Sequence, residues 1–105
     1  MGAKVLSGTT ALAEVARLVR ASHERWDGTG YPDNLAGEEI PLGSRIIFCC
    51  DAYDTMVRGR PYQAEIAPQE ALDELRRCAG TQFDPGIVGA FARMLAHREQ
   101  LRLAS

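Results

Sequence analysis

The sequence predicts an all-α protein, and three observations support this prediction. Apolar residues recur at helical spacing in four segments, no segment has the pattern of a β-strand, and glycines or prolines separate the four segments. The chain has 105 residues, a length that suits one compact domain over residues 1–105. It shows no internal repeat and no flexible linker, so we expect a single helical bundle.

The first predicted helix covers residues 10–25. Thr9 or Thr10 can cap its start, since both side chains accept hydrogen bonds from free backbone amides. The apolar residues that recur at helical spacing are Leu12, Val15, Ala16, Leu18 and Val19. His23 follows the last of these by four residues, so we expect its side chain to point with them toward the interior.

A long loop is predicted over residues 27–43. Gly28 and Gly30 break the first helix, and Pro32 favours an extended backbone just before it. A loop of this length without regular structure is unusual in a small domain and often has a function.

The second predicted helix covers residues 45–57, with Ser44 as its cap. Its sequence, RIIFCCDAYDTMV, is apolar nearly all round, and such a helix is expected at the centre of a bundle. Asp51 lies inside this apolar run. Asp54 lies four residues before Arg58, a spacing that allows an ion pair along the helix.

Two more helices follow a second predicted loop over residues 58–67. Pro68 suits the first turn of the third helix, and Asp84 with Pro85 suits the start of the fourth. The fourth helix is expected to fray after Ala96, where the sequence becomes polar. The two apolar faces consist of Ala71, Leu72, Leu75 and Cys78, then Ile87, Val88, Phe91, Met94 and Leu95.

Composition excludes some functions. The net charge is −2, which argues against a general DNA-binding protein. No apolar stretch approaches the ~20 residues that cross a bilayer, so we expect no membrane partner. The three cysteines, Cys49, Cys50 and Cys78, are an odd number, and two are adjacent. They are expected to be reduced and buried in a cytoplasmic protein.

Asp51 and His23 are the candidate metal ligands. A carboxylate inside an apolar helix is costly unless it is paired or bound to a cation. Asp51 is therefore a buried ion-pair partner, a cap to a neighbouring backbone, or a metal ligand. His23 is either a satisfied core histidine or a ligand. An imidazole and a carboxylate on two packed helices resemble the beginning of a hydrolytic metal site, although zinc sites use three or four ligands.

Tyr31 and Arg60 are the candidate nucleotide-binding residues. A tyrosine ring held at the mouth of a groove can stack on a nucleobase for about 1–3 kcal/mol. An arginine offers a planar fork to phosphate or guanine. The alternative is that Tyr31 packs under its loop and that Arg60 pairs with Asp27 or Glu24. Asp27 is most simply a turn-forming residue whose carboxylate accepts loop amides.

Four motifs make the chain recognisable. HERWDGTGYPDNLAGEEIP, RIIFCCDAYDTMV, RPY and GTQFDP resemble, in order and spacing, the C-terminal half of an HD-GYP domain. This family is a bacterial branch of the HD phosphohydrolases and usually acts on the second messenger cyclic di-GMP. The resemblance runs from about Gly2 to Met94. It implies an all-α bundle that holds a cluster of iron, manganese or zinc ions.

The resemblance also implies roles for individual residues. His23 and Asp51 match metal ligands, Tyr31 matches a residue lining the substrate groove, and Arg60 matches an arginine that contacts the cyclic dinucleotide. The other residues of the motif loop that match are Glu24, Asp27, Gly28, Gly30 and Pro32.

The chain departs from the family in three respects. Ser22 stands where the family has a histidine ligand, Gln63 stands where it often has a basic residue, and no His-Asp dipeptide occurs in the sequence. We therefore expect a phosphodiesterase domain without its His-Asp half that is weakly active or inactive alone. The alternative is a non-catalytic remnant that binds a nucleotide or another protein.

Apolar surface is expected where the absent half would pack. The segments concerned are residues 10–25 and 45–57. We expect a second copy of the chain or another partner chain to cover them.

Overall fold

The computed structural model describes residues 8–104, which form four α-helices and two short 3₁₀ turns. The helices are α1 (Gly8–Arg20), α2 (Leu42–Arg58), α3 (Pro68–Arg77) and α4 (Pro85–Ala104). The 3₁₀ turns are Ala21–His23 and Gly37–Glu39. Residues 8–104 contain no β-strand, only two isolated bridges. The all-α prediction is confirmed, while Gly2, the predicted start of the resemblance, lies outside the described residues.

The hydrophobic core lies between α2, α3 and α4. Its buried members are Cys49, Leu72, Leu75, Cys78, Phe83 and Val88. The rings of Phe48 and Phe83 approach to 5.1 Å between centroids, and Tyr53 meets Phe91 edge to face at 4.9 Å. α2 contacts each of the other three helices, as its nearly uniform apolar character predicted.

α1 is amphipathic but buries none of its residues. Leu12, Val15 and Val19 expose 72%, 56% and 54% of their surface, so the prediction that this face points to the interior is wrong. The reason is that α1 meets α2 only near one end, where Leu18 lies over Gly43. The expected exposed apolar surface is present there, and Leu42 and Ile46 of α2 add to it.

Three predicted helix ends differ from the structure. α1 ends at Arg20 rather than at residue 25, because the chain tightens into a 3₁₀ turn. α2 begins at Leu42, and Ser44 does not cap it, since its hydroxyl donates to the carbonyl of Leu18 at 2.7 Å. α4 continues to Ala104 and does not fray after residue 96.

The signals at Asp84 and Asp54 are confirmed, whereas Thr9 and Thr10 lie within α1 and do not cap it. The carboxylate of Asp84 accepts a hydrogen bond from the Gly86 amide at 2.8 Å and so caps α4. Arg58 donates to Asp54 at 2.6 Å along α2. The Asp84 carboxylate also forms a largely buried ion pair with Arg45 at 2.7 Å, which joins the first turns of α2 and α4.

The cysteines are free thiols, and two of the three are buried. Cys50 is exposed, so the expectation of burial is wrong for this residue, which lies on the outer side of α2. Burial raises the pKa of Cys49 to about 12. Within residues 8–104, no helix combines the length and apolar character needed to cross a bilayer.

Candidate functional site

A cleft of about 370 Å³ opens between the first 3₁₀ turn, α2 and α3. We call it the central cleft. Its polar lining residues are Ser22, His23, Asp51, Thr55, Glu74 and Gln82. Its apolar lining residues are Phe48, Ala52, Met56, Cys78 and Phe83. An apolar lining with a few convergent polar groups is the usual character of a small-molecule site.

His23 and Asp51 line this same cleft, as the sequence predicted for two residues on packed helices. Both are exposed, however, and the expectation that they are buried is wrong. The 3₁₀ turn directs His23 away from the core, and Asp51 faces the open cleft. Among residues 8–104, Asp51 has no hydrogen bond and no ion pair, so the alternative of a buried ion pair is also wrong.

The donor set falls short of a complete metal site. No group of three or more histidine, cysteine, aspartate or glutamate side chains within residues 8–104 is placed to hold a metal ion. Ser22 lies beside His23, but its hydroxyl donates to the Val19 carbonyl at 2.7 Å. Protein zinc sites use three or four ligands. His23 and Asp51 therefore supply two donors, which do not hold a metal cluster by themselves.

The loop after His23 folds back because of Glu24 and Gly30. The Glu24 side chain is 2% exposed, and its two carboxylate oxygens accept hydrogen bonds from the amides of Asp33 at 2.6 Å and Leu35 at 2.8 Å. A Cβ at Gly30 would lie 2.6 Å from the His23 carbonyl oxygen, which only glycine permits. Sequence reasoning named Glu24 as a motif residue but missed this role.

Tyr31 lies against His23 at the border of the central cleft. The two rings are stacked, with centroids 5.3 Å apart and planes 15° from parallel. The Tyr31 ring remains 65% exposed, so the alternative in which it packs under the loop is wrong. The Tyr31–Pro32 peptide bond is cis. The ring is therefore available to a ligand while it covers one face of the imidazole.

Asp27 forms the turn that the sequence predicted. Its carboxylate accepts hydrogen bonds from the Thr29 hydroxyl at 2.6 Å and from the Thr29 amide at 3.1 Å. These two hydrogen bonds hold the pKa of Asp27 below its usual range, and the bond from the hydroxyl has the larger effect. Gly28 follows with a φ of 84°, a conformation that favours glycine.

Arg60 lies at the end of the cleft formed by the last turns of α2. Its guanidinium donates to the Thr55 hydroxyl at 2.9 Å and to the Gly59 carbonyl at 3.3 Å. Thr55 lines the central cleft, so Arg60 borders the cleft without lining it. The alternative pairing of Arg60 with Asp27 or Glu24 is wrong.

Glu74 and Gln82 are cleft residues that sequence reasoning did not select. Glu74 lies three residues after Ala71 and four before Cys78, which places it at the edge of the buried face of α3. That position was the signal for a polar group beside the core. Gln82 belongs to the recognised GTQFDP motif, but no role was assigned to it.

Two other grooves contain none of the predicted site residues. One of about 450 Å³ lies between α3 and α4 and is bordered by Arg76 and Arg93. Another of about 1040 Å³ lies beside the second half of α4. Neither combines an imidazole with a carboxylate, so the chemistry favours the central cleft.

Comparison with known proteins identifies one family. The sequence model of the HD domain family matches residues 1–87. The chain is 40% identical over 103 residues to the cyclic di-GMP phosphodiesterase response regulator RpfG of Xanthomonas campestris, covering 96% of this chain and 27% of the relative. It is 36% identical over 78 residues to the 3'3'-cGAMP-specific phosphodiesterase 2 of Vibrio cholerae, covering 73% of this chain and 15% of the relative.

The fold of the chain resembles that of part of a solved structure. That structure is a cyclic GMP-AMP-specific phosphodiesterase of Vibrio cholerae, with a TM-score of 0.73 and 31% identity. The match covers 83% of this chain and 20% of that chain. The chain thus spans about a quarter or less of the length of the relatives it matches.

Proposed function

Because the chain belongs to the HD domain family, in its HD-GYP branch, we propose that the central cleft binds a cyclic dinucleotide and contributes to hydrolysis of its phosphodiester bond. HD-domain phosphohydrolases are generally metal-dependent. The observation that carries the proposal is the shared cleft of His23 and Asp51, bordered by Tyr31 and Arg60.

The proposed metal ligands of this chain are His23 and Asp51. Imidazole and carboxylate groups are both ligands of iron, manganese and zinc, so the donor types alone do not select one of these metals. Both side chains are exposed, which leaves them accessible to an ion from solution. Further ligands, from water, from a ligand phosphate or from other polypeptide, complete the site in this proposal.

The proposed substrate contacts are Tyr31 and Arg60. The exposed face of the Tyr31 ring can stack on a purine, because its other side is supported by the His23 imidazole. Arg60 is exposed, and among residues 8–104 its guanidinium bonds to one hydroxyl and one carbonyl and pairs with no carboxylate. It is suited to a phosphate of the cyclic dinucleotide.

A second candidate function is binding of the nucleotide without turnover. Two observations favour it: the Ser22 hydroxyl, beside His23, donates to the Val19 carbonyl, and residues 8–104 contain no group of three suitable ligands. In this case the protein would sense or sequester a second messenger rather than destroy it.

A cytoplasmic location fits either function. The three cysteines form no disulfide, which is typical of proteins in a reducing compartment.

The test combines metal analysis, binding and hydrolysis on the purified chain. We expect cyclic di-GMP to bind in calorimetry and to be hydrolysed slowly when manganese or iron is supplied. His23→Ala and Asp51→Asn should abolish the hydrolysis. The matched controls, His97→Ala and Asp54→Asn, change the same residue types at exposed positions outside the cleft and should have no effect.

Each outcome separates the candidates. Hydrolysis that depends on His23 and Asp51 supports the enzyme. Binding without hydrolysis supports the second candidate. Absence of both binding and hydrolysis contradicts both proposals.

A further inference from the structure

One end of the central cleft holds polar groups that the proposed function does not use. Glu74 comes from α3, and Gln82 comes from the turn before α4. The thiol of Cys78 lies between them: it donates to the Glu74 carboxylate at 3.5 Å and accepts from the Gln82 amide at 3.5 Å. A carboxylate and a carboxamide thus both contact one buried thiol at the cleft.

The present partners of Glu74 and Gln82 are easily replaced. Thiols are weak donors and weak acceptors, so a ligand with N–H and C=O groups can displace Cys78 from both neighbours. Arg77 binds both oxygens of the Glu74 carboxylate with its Nε and Nη2, in an exposed ion pair. Exposed ion pairs contribute little free energy, so a ligand edge with two N–H donors can displace the Arg77 guanidinium from these oxygens. The Arg77 bond also holds the pKa of Glu74 below its usual range, so Glu74 is ionised at neutral pH.

The apolar lining of the central cleft is partly aromatic. Phe48, Met56 and Phe83 line the cleft, and Phe83 belongs to the buried core. Flat apolar walls beside polar side chains suit a planar heterocycle, with the ring in the apolar space and its edge toward the polar groups.

The polar groups distinguish between the purines. The Watson–Crick edge of guanine carries an acceptor, O6, followed by two donors, N1–H and the N2 amino group. An ionised carboxylate accepts both donors at once, and a carboxamide N–H can donate to O6. Adenine places the lone pair of N1 where guanine has a donor, so the carboxylate would face another acceptor. A site built for particular hydrogen bonds strongly rejects an analogue that lacks them.

We propose that this end of the central cleft is a guanine subsite, in which Glu74 accepts from N1–H and the N2 amino group and Gln82 donates to O6. The inference rests on the proposed function, which supplies the ligand class. Cyclic di-GMP and 3'3'-cGAMP, the ligands in the names of the relatives, share at least one guanine. A single guanine subsite accommodates both and excludes cyclic di-AMP.

The test is binding of these three cyclic dinucleotides to the chain and to two variants. We expect cyclic di-GMP and 3'3'-cGAMP to bind at least about tenfold more tightly than cyclic di-AMP. Glu74→Gln should weaken the two guanine ligands by about tenfold and leave cyclic di-AMP unchanged. The control is Glu99→Gln, because Glu99 forms the same type of exposed ion pair with Arg102 but lies outside the central cleft. Thermal unfolding verifies that both variants are folded.

A second arm uses mononucleotides and requires no cyclic ligand. Addition of 5'-GMP should shift the NMR amide signals of Cys78 and Gln82, and 5'-AMP should shift them much less.

Three results would overturn the guanine subsite. Equal affinity for all three cyclic dinucleotides removes the specificity but leaves the proposed function intact. An equal loss for all three in Glu74→Gln means that Glu74 acts only on the fold. If neither a cyclic dinucleotide nor 5'-GMP binds, both proposals fail. A selective response to 5'-GMP without binding of any cyclic dinucleotide would contradict the proposed function and retain the subsite.

Discussion

α1 and α3 have similar sequence patterns and very different surroundings. Both are amphipathic, but α3 buries Ala71, Leu72 and Leu75 against α2 and α4, whereas α1 buries nothing. The same periodicity thus gives a core helix in one place and an exposed helix in the other. A hydrophobic stripe predicts which face of a helix can pack against another apolar surface. It does not tell whether the described residues provide that surface.

The central cleft lies between these two regions. His23 follows the loosely packed α1, whereas Glu74 belongs to the well-packed α3 and Cys78 directly follows it. The stability of the fold and the position of His23 in the central cleft therefore depend on different parts of the molecule. Substitutions can change one of these properties without the other.

Leucine truncation in the two helices should give the largest contrast. Leu75→Ala removes a fully buried side chain and should lower the free energy of unfolding by about 2–5 kcal/mol. Leu12→Ala removes a side chain that is 72% exposed and should change it by less than about 0.5 kcal/mol. Urea unfolding followed by circular dichroism measures both. Similar losses in the two variants would mean that α1 is packed as well as α3.

Glu24→Gln should have an intermediate effect, because it replaces the buried acceptor that folds the loop back. The amide group of glutamine can replace only one of the two carboxylate oxygens, so a backbone N–H is left unsatisfied at a cost of about 1–3 kcal/mol.

The control is Glu39→Gln, in the same loop. Glu39 is exposed and accepts from the Ala36 amide at 3.0 Å. Its replacement should cost under about 0.5 kcal/mol. Loss of the mutual ring-current shifts of Tyr31 and His23 in Glu24→Gln alone would show that the stack depends on Glu24. Unchanged NMR signals of these two rings would refute that dependence.

We expect α1 to mediate association of two copies of the chain through its exposed apolar face. Sedimentation velocity should show a dimer that forms as concentration rises, because association removes Leu12, Val15 and Val19 from water. Replacing these three residues with serine should give a monomer, whereas Leu103→Ser on α4 should not. A native chain that is monomeric and binds no apolar dye would rule out this association.

We expect the smallest effect from Asp27, whose protonation makes the stability of the fold depend on pH. Its pKa is lower in the folded chain than the ordinary value of 3.8, so the unfolded chain takes up the proton first as pH falls. The stabilisation is therefore complete above about pH 4 and is lost as pH falls through the folded pKa. Asp27→Asn should flatten the dependence of urea unfolding on pH between about 2 and 4. An identical pH dependence in Asp27→Asn and the native chain would exclude this contribution.

Much of the fold could be predicted from the sequence. Four helices, the loop over residues 58–67, the face of α3 and the capping of α4 by Asp84 all follow from periodicity and turn chemistry. The end of α1 could not be predicted, because a turn of α-helix and a 3₁₀ turn differ only in which carbonyl accepts the hydrogen bond from each amide. The length of α4 was also missed, since i,i+3 ion pairs such as that between Glu99 and Arg102 support a polar helix end.

The candidate site was predicted in part, and for a partly wrong reason. His23 and Asp51 line one cleft as expected, but both are exposed, whereas the sequence predicted that they are buried. Burial depends on which surfaces meet, and a single sequence does not contain that information. The role of Glu24 was missed because its partners are backbone amides 9 and 11 residues away, which no side-chain pattern marks.

NMR titration of the ¹⁵N-labelled chain with cyclic di-GMP tests most directly whether the central cleft is the ligand site. We expect shifts of the amide signals of His23, Asp51 and Thr55, together with broadening of the Tyr31 ring signals. Shifts confined to Arg76 and Arg93 of the groove between α3 and α4, or no shifts at saturating ligand, would contradict it.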